Sequence, residues 1–183
     1  MLGARQQNRA ADPLVSTDLL IPNDTASLVY IDCPLPGSTF YDSLKNDQAV
    51  WRFTFHHVED DLPEGLVSGN ERTYLRHFFD RLTVNPWAIT PGGGDQDVYV
   101  LAYARPGALW AAFKTYREFE GDGRQNRELV QRQGKSGVPT LGLASEHSFN
   151  NARHREQLSE FHGDVEVESV SNSAHYVPDK NPE

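Results

Sequence analysis

Two side chains far apart in the sequence have the chemistry of a proton-transfer pair. Asp32 ends the run Ser27-Leu-Val-Tyr-Ile-Asp32, and His175 follows the run Val165-Glu-Val-Glu-Ser-Val170 by a few residues. An imidazole that works as a base needs an anion on one ring nitrogen to fix its tautomer and stabilise the imidazolium. The other nitrogen is then free to take a proton from a nucleophile or from water. Asp32 can be that anion. Each residue also has a plainer reading: an Asp before Cys33-Pro34 is a natural strand terminator that accepts hydrogen bonds from the following backbone, and His175 can be a surface-loop histidine.

The elements that must bring the two together read as strands. Ser27 to Asp32 is a nearly continuous apolar run, the pattern of a strand buried in a parallel sheet. Cys33-Pro-Leu-Pro-Gly37 ends it, because two prolines neither continue a ladder nor start a helix there. Open parallel sheets place their sites at the carboxyl ends of strands. Asp32 occupies such an end, and His175 lies beyond another. A further strand is expected at Val138 to Ala144, with a polar helix from about Asn150 to Phe161 after it.

Between Tyr41 and about Gln133 the spacing turns helical, with no convincing strand. The expected pieces are Leu44 to His56, a turn at Leu62-Pro63-Glu64, Glu71 to Leu82 with Tyr74, Leu75, Phe78 and Phe79 on one face, and Val98 to Ala104. Pro106 is expected to open a long helix at its first turn, with Leu109, Phe113 and Tyr116 as its interior stripe. Asp122 to Gly134 completes this block, and Gly92-Gly93-Gly94 reads as a flexible joint inside it. The expected fold class is α/β, a partial sheet of about three parallel strands with an inserted all-helical layer long enough to be a lid. Residues 1–26 form an irregular, loose segment, 27–40 with 135–183 the core, and 41–134 the insertion.

Composition narrows the partners. At 183 residues the chain is one domain or part of a larger one. A hydrophobic share of 38% is low for a compact enzyme, but three Trp, seven Tyr and nine Phe are too many aromatics for a disordered chain. With a net charge of −9 and no basic stripe, the phosphate-neutralising surface that nucleic acid requires is missing. The single cysteine, Cys33, cannot form an internal disulfide, and the first residues hold no apolar run of a signal peptide. No run approaches the roughly 20 apolar residues of a membrane helix. A cytoplasmic protein without membrane or nucleic-acid partners is the expectation.

Several weak motifs then fall in one register. Leu28-Val-Tyr-Ile-Asp-Cys-Pro-Leu-Pro-Gly37, Trp51-Arg-Phe-Thr-Phe-His56, Leu62-Pro-Glu-Gly-Leu-Val-Ser-Gly-Asn-Glu-Arg-Thr-Tyr74, Tyr103-Ala-Arg-Pro-Gly-Ala-Leu109 with Tyr116-Arg117, and Ala174-His-Tyr-Val-Pro-Asp-Lys-Asn-Pro-Glu183 follow one another across Ser27 to Glu183. In order and spacing they resemble the epoxide hydrolase and haloacid dehalogenase branch of the α/β-hydrolases. The resemblance implies Asp32 as triad acid, His175 as base, and Tyr116 as a cap tyrosine that donates a hydrogen bond to the epoxide oxygen or leaving halide. Trp51 and Arg52 would line the cap cavity as substrate-binding residues. It also implies attack on carbon by an aspartate and hydrolysis of the resulting ester by water that the histidine activates, with no metal or cofactor. The substrate or ligand would be a small apolar organic molecule.

The chain departs from that pattern in places. The nucleophile elbow has no counterpart in Met1 to Thr25, and the oxyanion-hole His-Gly segment and a terminal helix are absent. Arg52 stands where relatives often carry His, and Ala174 where Gly is common. These residues therefore resemble the second half of an enzyme, and negligible activity is expected of them alone. Two other readings stay open: a non-catalytic module that holds a small ligand in the cap pocket, and a truncated gene product that associates through an unpaired sheet edge.

Other residues invite chemistry and have blander readings. His56-His57-Val-Glu-Asp-Asp61 suggests a metal, but adjacent helical histidines point about 100° apart, so a solvated acidic loop is expected. Cys33 would pair with His175 as nucleophile only with a cation or helix N-terminus beside it, and none is in evidence. Tyr116 falls on an apolar stripe and fits a simple core role as well as a donor role.

Overall fold

The computed structural model describes residues 17–84 and 94–177. Three parallel strands, β1 (Leu28–Ile31), β2 (Thr140–Ser145) and β3 (Val165–Val170), form a sheet in the order β1-β2-β3. Leu28 pairs with Thr140, and Thr140 with Val165. The α-helices are α1 (Thr17–Leu20), α2 (Thr39–Leu44), α3 (Arg52–His56), α4 (Leu62–Val67), α5 (Glu71–Arg81), α6 (Gly94–Tyr103), α7 (Ala108–Gln133) and α8 (His154–Ser159). Between β1 and β2 the described residues are helical or irregular. Among the described residues no helix is long and apolar enough to cross a membrane.

β2 is central, and α8 lies directly on it. A Cβ on Gly142 would stand 2.7 Å from both His154 Cδ2 and Leu158 Cδ1, so a residue without a side chain is what lets the helix approach. Leu158 and Phe161 pack with Leu19, Leu35 and Leu129, and Tyr30, Val165 and Val167 of the strands close this core. Helices α1, α7 and α8 thus cover one face of the sheet. On the other, Val29 and Ile31 are 52% and 40% exposed. The strand expected to be buried throughout is therefore half-buried at alternate residues, Leu28 and Tyr30, and exposed at the others, because β1 is an edge strand among the described residues and the described helices cover one side of it.

Glycine also fixes how the loop after β1 meets α7. Gly37 has φ +89°, and a Cβ there would lie 2.6 Å from the Gly123 carbonyl oxygen; a Cβ on Gly123 would in turn lie 2.8 Å from Gly37 N. Asn126 Nδ2 donates to the Pro36 carbonyl at 3.1 Å and Arg127 to the Gly37 carbonyl at 3.0 Å, strapping the loop to the helix.

Several boundaries differ from the sequence expectation, each for a local reason. The helix expected from Leu44 to His56 is three pieces, because the Asp47 carboxylate accepts from the Ala49 N–H at 2.7 Å and opens a separate 3₁₀ turn at Gln48–Val50 before α3. Leu62-Pro63-Glu64 starts α4 rather than making a turn, with the proline in the first turn where no N–H is needed. Pro106 does not open α7. It lies in the turn before it, and Gly107, at φ +79°, is the residue that leads into Ala108. The helix then runs unbroken through Gly121 and Gly123 for 26 residues. α6 begins at Gly94, the last residue of the expected joint, while Gly92 and Gly93 lie outside the described residues. Within the segment expected to be loose, α1 is helical and Asp18 and Leu19 are buried. Residues 1–16 of that segment lie outside the described residues.

Candidate active site

β1 delivers Asp32 to the edge of the helical layer. Its backbone N–H donates to the Leu143 carbonyl at 2.9 Å, extending the β1–β2 ladder by one bond. The chain then turns sharply, with Asp32 at φ +41°. That region favours glycine; Asp is one of the few other residues to occupy it, and at such positions strain and function tend to coincide. The carboxylate is held from several sides. Oδ1 accepts from the Ser145 N–H at 3.3 Å, the Asp32 carbonyl accepts from Asn150 Nδ2 at 3.0 Å, and Oδ2 faces His175 Nδ1 at 3.0 Å.

His175 is fixed by the loop beyond β3. Ser173 Oγ donates to the Val170 carbonyl at 2.6 Å and the Ser173 carbonyl accepts from the His147 N–H at 3.1 Å, while Ala174 is buried beside them. With the carboxylate as acceptor, Nδ1 carries the proton and Nε2 is the nitrogen left for exchange with a reactant. The carboxylate and the imidazole from the two strand ends are therefore side by side.

The ring lines a cavity of about 200 Å³ together with Arg52, His56, Tyr74, Tyr103, Tyr116 and Tyr176. Burial raises the Tyr74, Tyr116 and Tyr176 hydroxyls above their ordinary range, against the opposing charge of Arg52, so they stay protonated and able to donate. His56 is 3% exposed, stacked on Phe113 with ring centroids 4.3 Å apart, and hydrogen-bonded to the Tyr74 hydroxyl. Burial, then the charges of Arg52, His57 and Arg117, push its pKa down to about 3, so it is a neutral ring. This corrects the expectation of a solvated acidic loop at His56, which the aromatic packing around α3 overrides. Among the described residues no group of three or more His, Cys, Asp or Glu is gathered as a metal site would need.

Of the remaining candidates, Tyr116 and Arg52 stand in this cavity. Trp51 stands outside it. It stacks on Phe78 at 5.8 Å and lines a neighbouring groove of about 450 Å³ with Asp47 and Arg81, a groove that shares Arg52 and Phe78 with the cavity. Cys33 follows Asp32, but burial pushes its thiol up to about 11, against the hydrogen bond with Tyr30, so it is not a ready thiolate. Sequence reasoning did not single out Tyr103, Tyr176, Asn150 or Ser145. Tyr176 adjoins His175, and Tyr103 opens the motif that runs to Leu109, which were usable signals; Asn150 and Ser145 touch Asp32 only through the fold.

No protein-family model matches the sequence, and no curated protein matches it. Solved structures do. Cfl2 from Burkholderia cenocepacia is 29% identical with a TM-score of 0.80, over 91% of this chain and 56% of that one. The epoxide hydrolase CorEH is 21% identical with a TM-score of 0.73, over 91% of this chain and 58% of that one. ALR0039 from Nostoc sp PCC 7120, assigned to the alpha/beta hydrolases, is 24% identical with a TM-score of 0.78, over 90% of this chain and 56% of that one. The chain spans somewhat over half the length of these neighbours. With a parallel sheet, helices between its strands, and neighbours of this kind, the chain has the α/β-hydrolase fold over the part that it shares with them.

Proposed function

We propose that these residues supply the base, the acid and the helical cap of a hydrolase that opens epoxides or related carbon electrophiles. His175 Nε2 takes a proton from water, and the resulting hydroxide attacks an ester formed between a nucleophilic carboxylate and the substrate carbon. Asp32 holds Nδ1 and stabilises the imidazolium while the proton is there. Tyr116 donates a hydrogen bond to the oxygen or halide that takes up charge when the carbon is attacked. The observation that carries this reading is the 3.0 Å contact between His175 Nδ1 and Asp32 Oδ2 at the wall of a tyrosine-lined cavity.

The described residues lining that cavity include no Asp, Ser or Cys to take the nucleophile's place. The 183 residues alone are therefore expected to show negligible turnover. A test joins them to the part of CorEH that they do not span and assays short epoxides. The expected result is turnover that His175→Ala lowers by about a hundredfold or more, as loss of a general base does. A chimera that is folded by circular dichroism yet silent, or turnover indifferent to His175→Ala, would sink the proposal. The same cavity supports a second reading, a binding module that holds a small ligand without turning it over. Ligand-dependent stabilisation of the 183 residues, with a folded but silent chimera, selects that reading.

A further inference from the structure

Asn150, His154 and Gln157 are polar yet wholly buried, and they recur at i, i+4, i+7 along the turn into α8 and α8 itself. All three meet one stretch of main chain, the stretch that carries Asp32. Asn150 Nδ2 donates to the Asp32 carbonyl at 3.0 Å, His154 Nε2 to the Tyr30 carbonyl at 3.2 Å, and Gln157 Nε2 to the Cys33 carbonyl at 3.0 Å. Gln157 Oε1 accepts from the Leu35 N–H at 2.8 Å. Burial lowers the His154 pKa, against its bond to the Tyr30 carbonyl and the charge of Asp32, so the ring is neutral. Its Nδ1 is left to accept from Gln157 Nε2 at 3.4 Å, which links the second and third of the set.

These contacts stand where the β1–β2 ladder breaks. The register of the two strands, extended by the bond from the Asp32 N–H to the Leu143 carbonyl, makes the Asp32 carbonyl the next acceptor, for the Ser145 N–H. At φ +41° the chain turns instead: the carboxylate Oδ1 takes the Ser145 N–H at 3.3 Å, and the displaced carbonyl goes to Asn150. A residue other than glycine opposes that turn, and a buried carbonyl off its ladder needs another donor. Apolar side chains at the three positions would leave the Asp32 and Cys33 carbonyls and the Leu35 N–H unpaired, and favour return of the chain to its ladder. We propose that Asn150, His154 and Gln157 are positioning residues for the reaction: they hold the turn around Asp32 and thereby keep Oδ2 on His175 Nδ1. This rests on the reading of His175 as the base.

The test is ¹⁵N NMR of the histidine rings of the 183-residue protein in alkaline buffer, where imidazoles are neutral and the two tautomers differ in shift. The His175 signal is the one lost in His175→Gln. Wild type should hold His175 as Nδ1–H over Nε2–H by about tenfold or more, the worth of a hydrogen bond to a carboxylate. Gln157→Leu and Asn150→Ala should each cut that ratio about fivefold or more. Leu129→Ala, a core change on α7 that removes none of these hydrogen bonds, should lower the thermal midpoint and leave the ratio alone. Should Gln157→Leu fail to fold, Asn150→Ala is read by itself. A wild-type ring without the Nδ1–H preference, a preference that survives in the folded variants, or one that Leu129→Ala lowers equally would overturn the inference. In the CorEH chimera Gln157→Leu should lower kcat about tenfold with KM little changed. A silent chimera beside a Gln157-dependent tautomer would sink the hydrolytic reading and leave the positioning standing, whereas an active chimera whose kcat ignores Gln157→Leu would sink the positioning alone.

Discussion

The Asp32 side chain is fully buried, while the His175 imidazole that it holds at 3.0 Å is 28% exposed. One partner is sealed from solvent and the other opens onto the cavity. Asp32 therefore has two duties, to orient the ring and to satisfy the Ser145 N–H. Asp32→Ala should remove both and lower stability by about 1–3 kcal/mol. Asp32→Gly should cost less than Asp32→Ala, because φ +41° is relaxed for glycine and strained for alanine. Urea unfolding of the two variants, with equal m-values, checks the order. A Gly variant less stable than the Ala variant would contradict it.

Three glycines should respond to alanine in three ways. Gly65 is exposed in α4, and a Cβ added there would meet nothing within 4 Å, so Gly65→Ala should stabilise by about 0.5–1 kcal/mol. Gly142→Ala meets the movable side chains of His154 and Leu158, and should cost about 1–3 kcal/mol. Gly123→Ala meets the backbone of Gly37, which cannot rotate away, and should be the most damaging. Thermal midpoints of the three variants test the ranking.

Stability should fall on acidification, and histidines should lead the fall. His56, pushed to about 3 by burial, and His154, lowered by burial, are neutral in the fold, whereas an unfolded histidine titrates near 6.5. A depressed folded pKa gives stability that is present above the unfolded pKa and lost as pH drops below it. For His56 the loss begins below about pH 6.5 and approaches about 1.4 kcal/mol per pH unit at its steepest. Asp18 joins only below about pH 4. Burial alone would raise its pKa, but hydrogen bonds from His162 and Ser136 and the charge of His162 outweigh burial and hold it down. Denaturant unfolding between pH 7 and 4.5 should show the slope, and His56→Gln should flatten it. An unchanged slope in that variant would refute the assignment.

Cys33 should be a poor nucleophile. With its thiol at about 11 rather than the ordinary 9.0, the thiolate fraction at neutral pH is about a hundredfold lower. Iodoacetamide should label the folded protein at least that much more slowly than the chain in urea. Equal rates would show that the thiol is not held protonated.

What was legible in the sequence followed from rules that need only local pattern. β3 reads at its bounds because Val165-Glu-Val-Glu alternates between two media. The pairing of Asp32 with His175 follows from strands that end on the same side of a parallel sheet. What was not legible depended on which neighbour a side chain meets. His56 stands in a run that ends in acids, yet Phe113 and Tyr116 of a distant helix enclose it. Trp51 and Arg52 are adjacent, so on a helix they point apart, and only the packing of α5 decides which one turns inward. Pro106 misled by its type, since the proline preference for a first turn fits both Ala108 and its own position until the turn before α7 is seen.

The single rod of α7 has a mechanical consequence. Tyr116 on its first half belongs to the aromatic layer, and Leu129 on its second half is anchored against the sheet. The aromatic layer around Tyr116 and the core against the sheet are thus joined along one continuous beam, with no hinge loop within α7. Any relative movement of those two layers along this side must flex the beam itself. Gly121 and Gly123 are its softest points, and the second is pinned to Gly37. The contact that shapes the loop behind Asp32 thus also stiffens the middle of the helix that carries Tyr116.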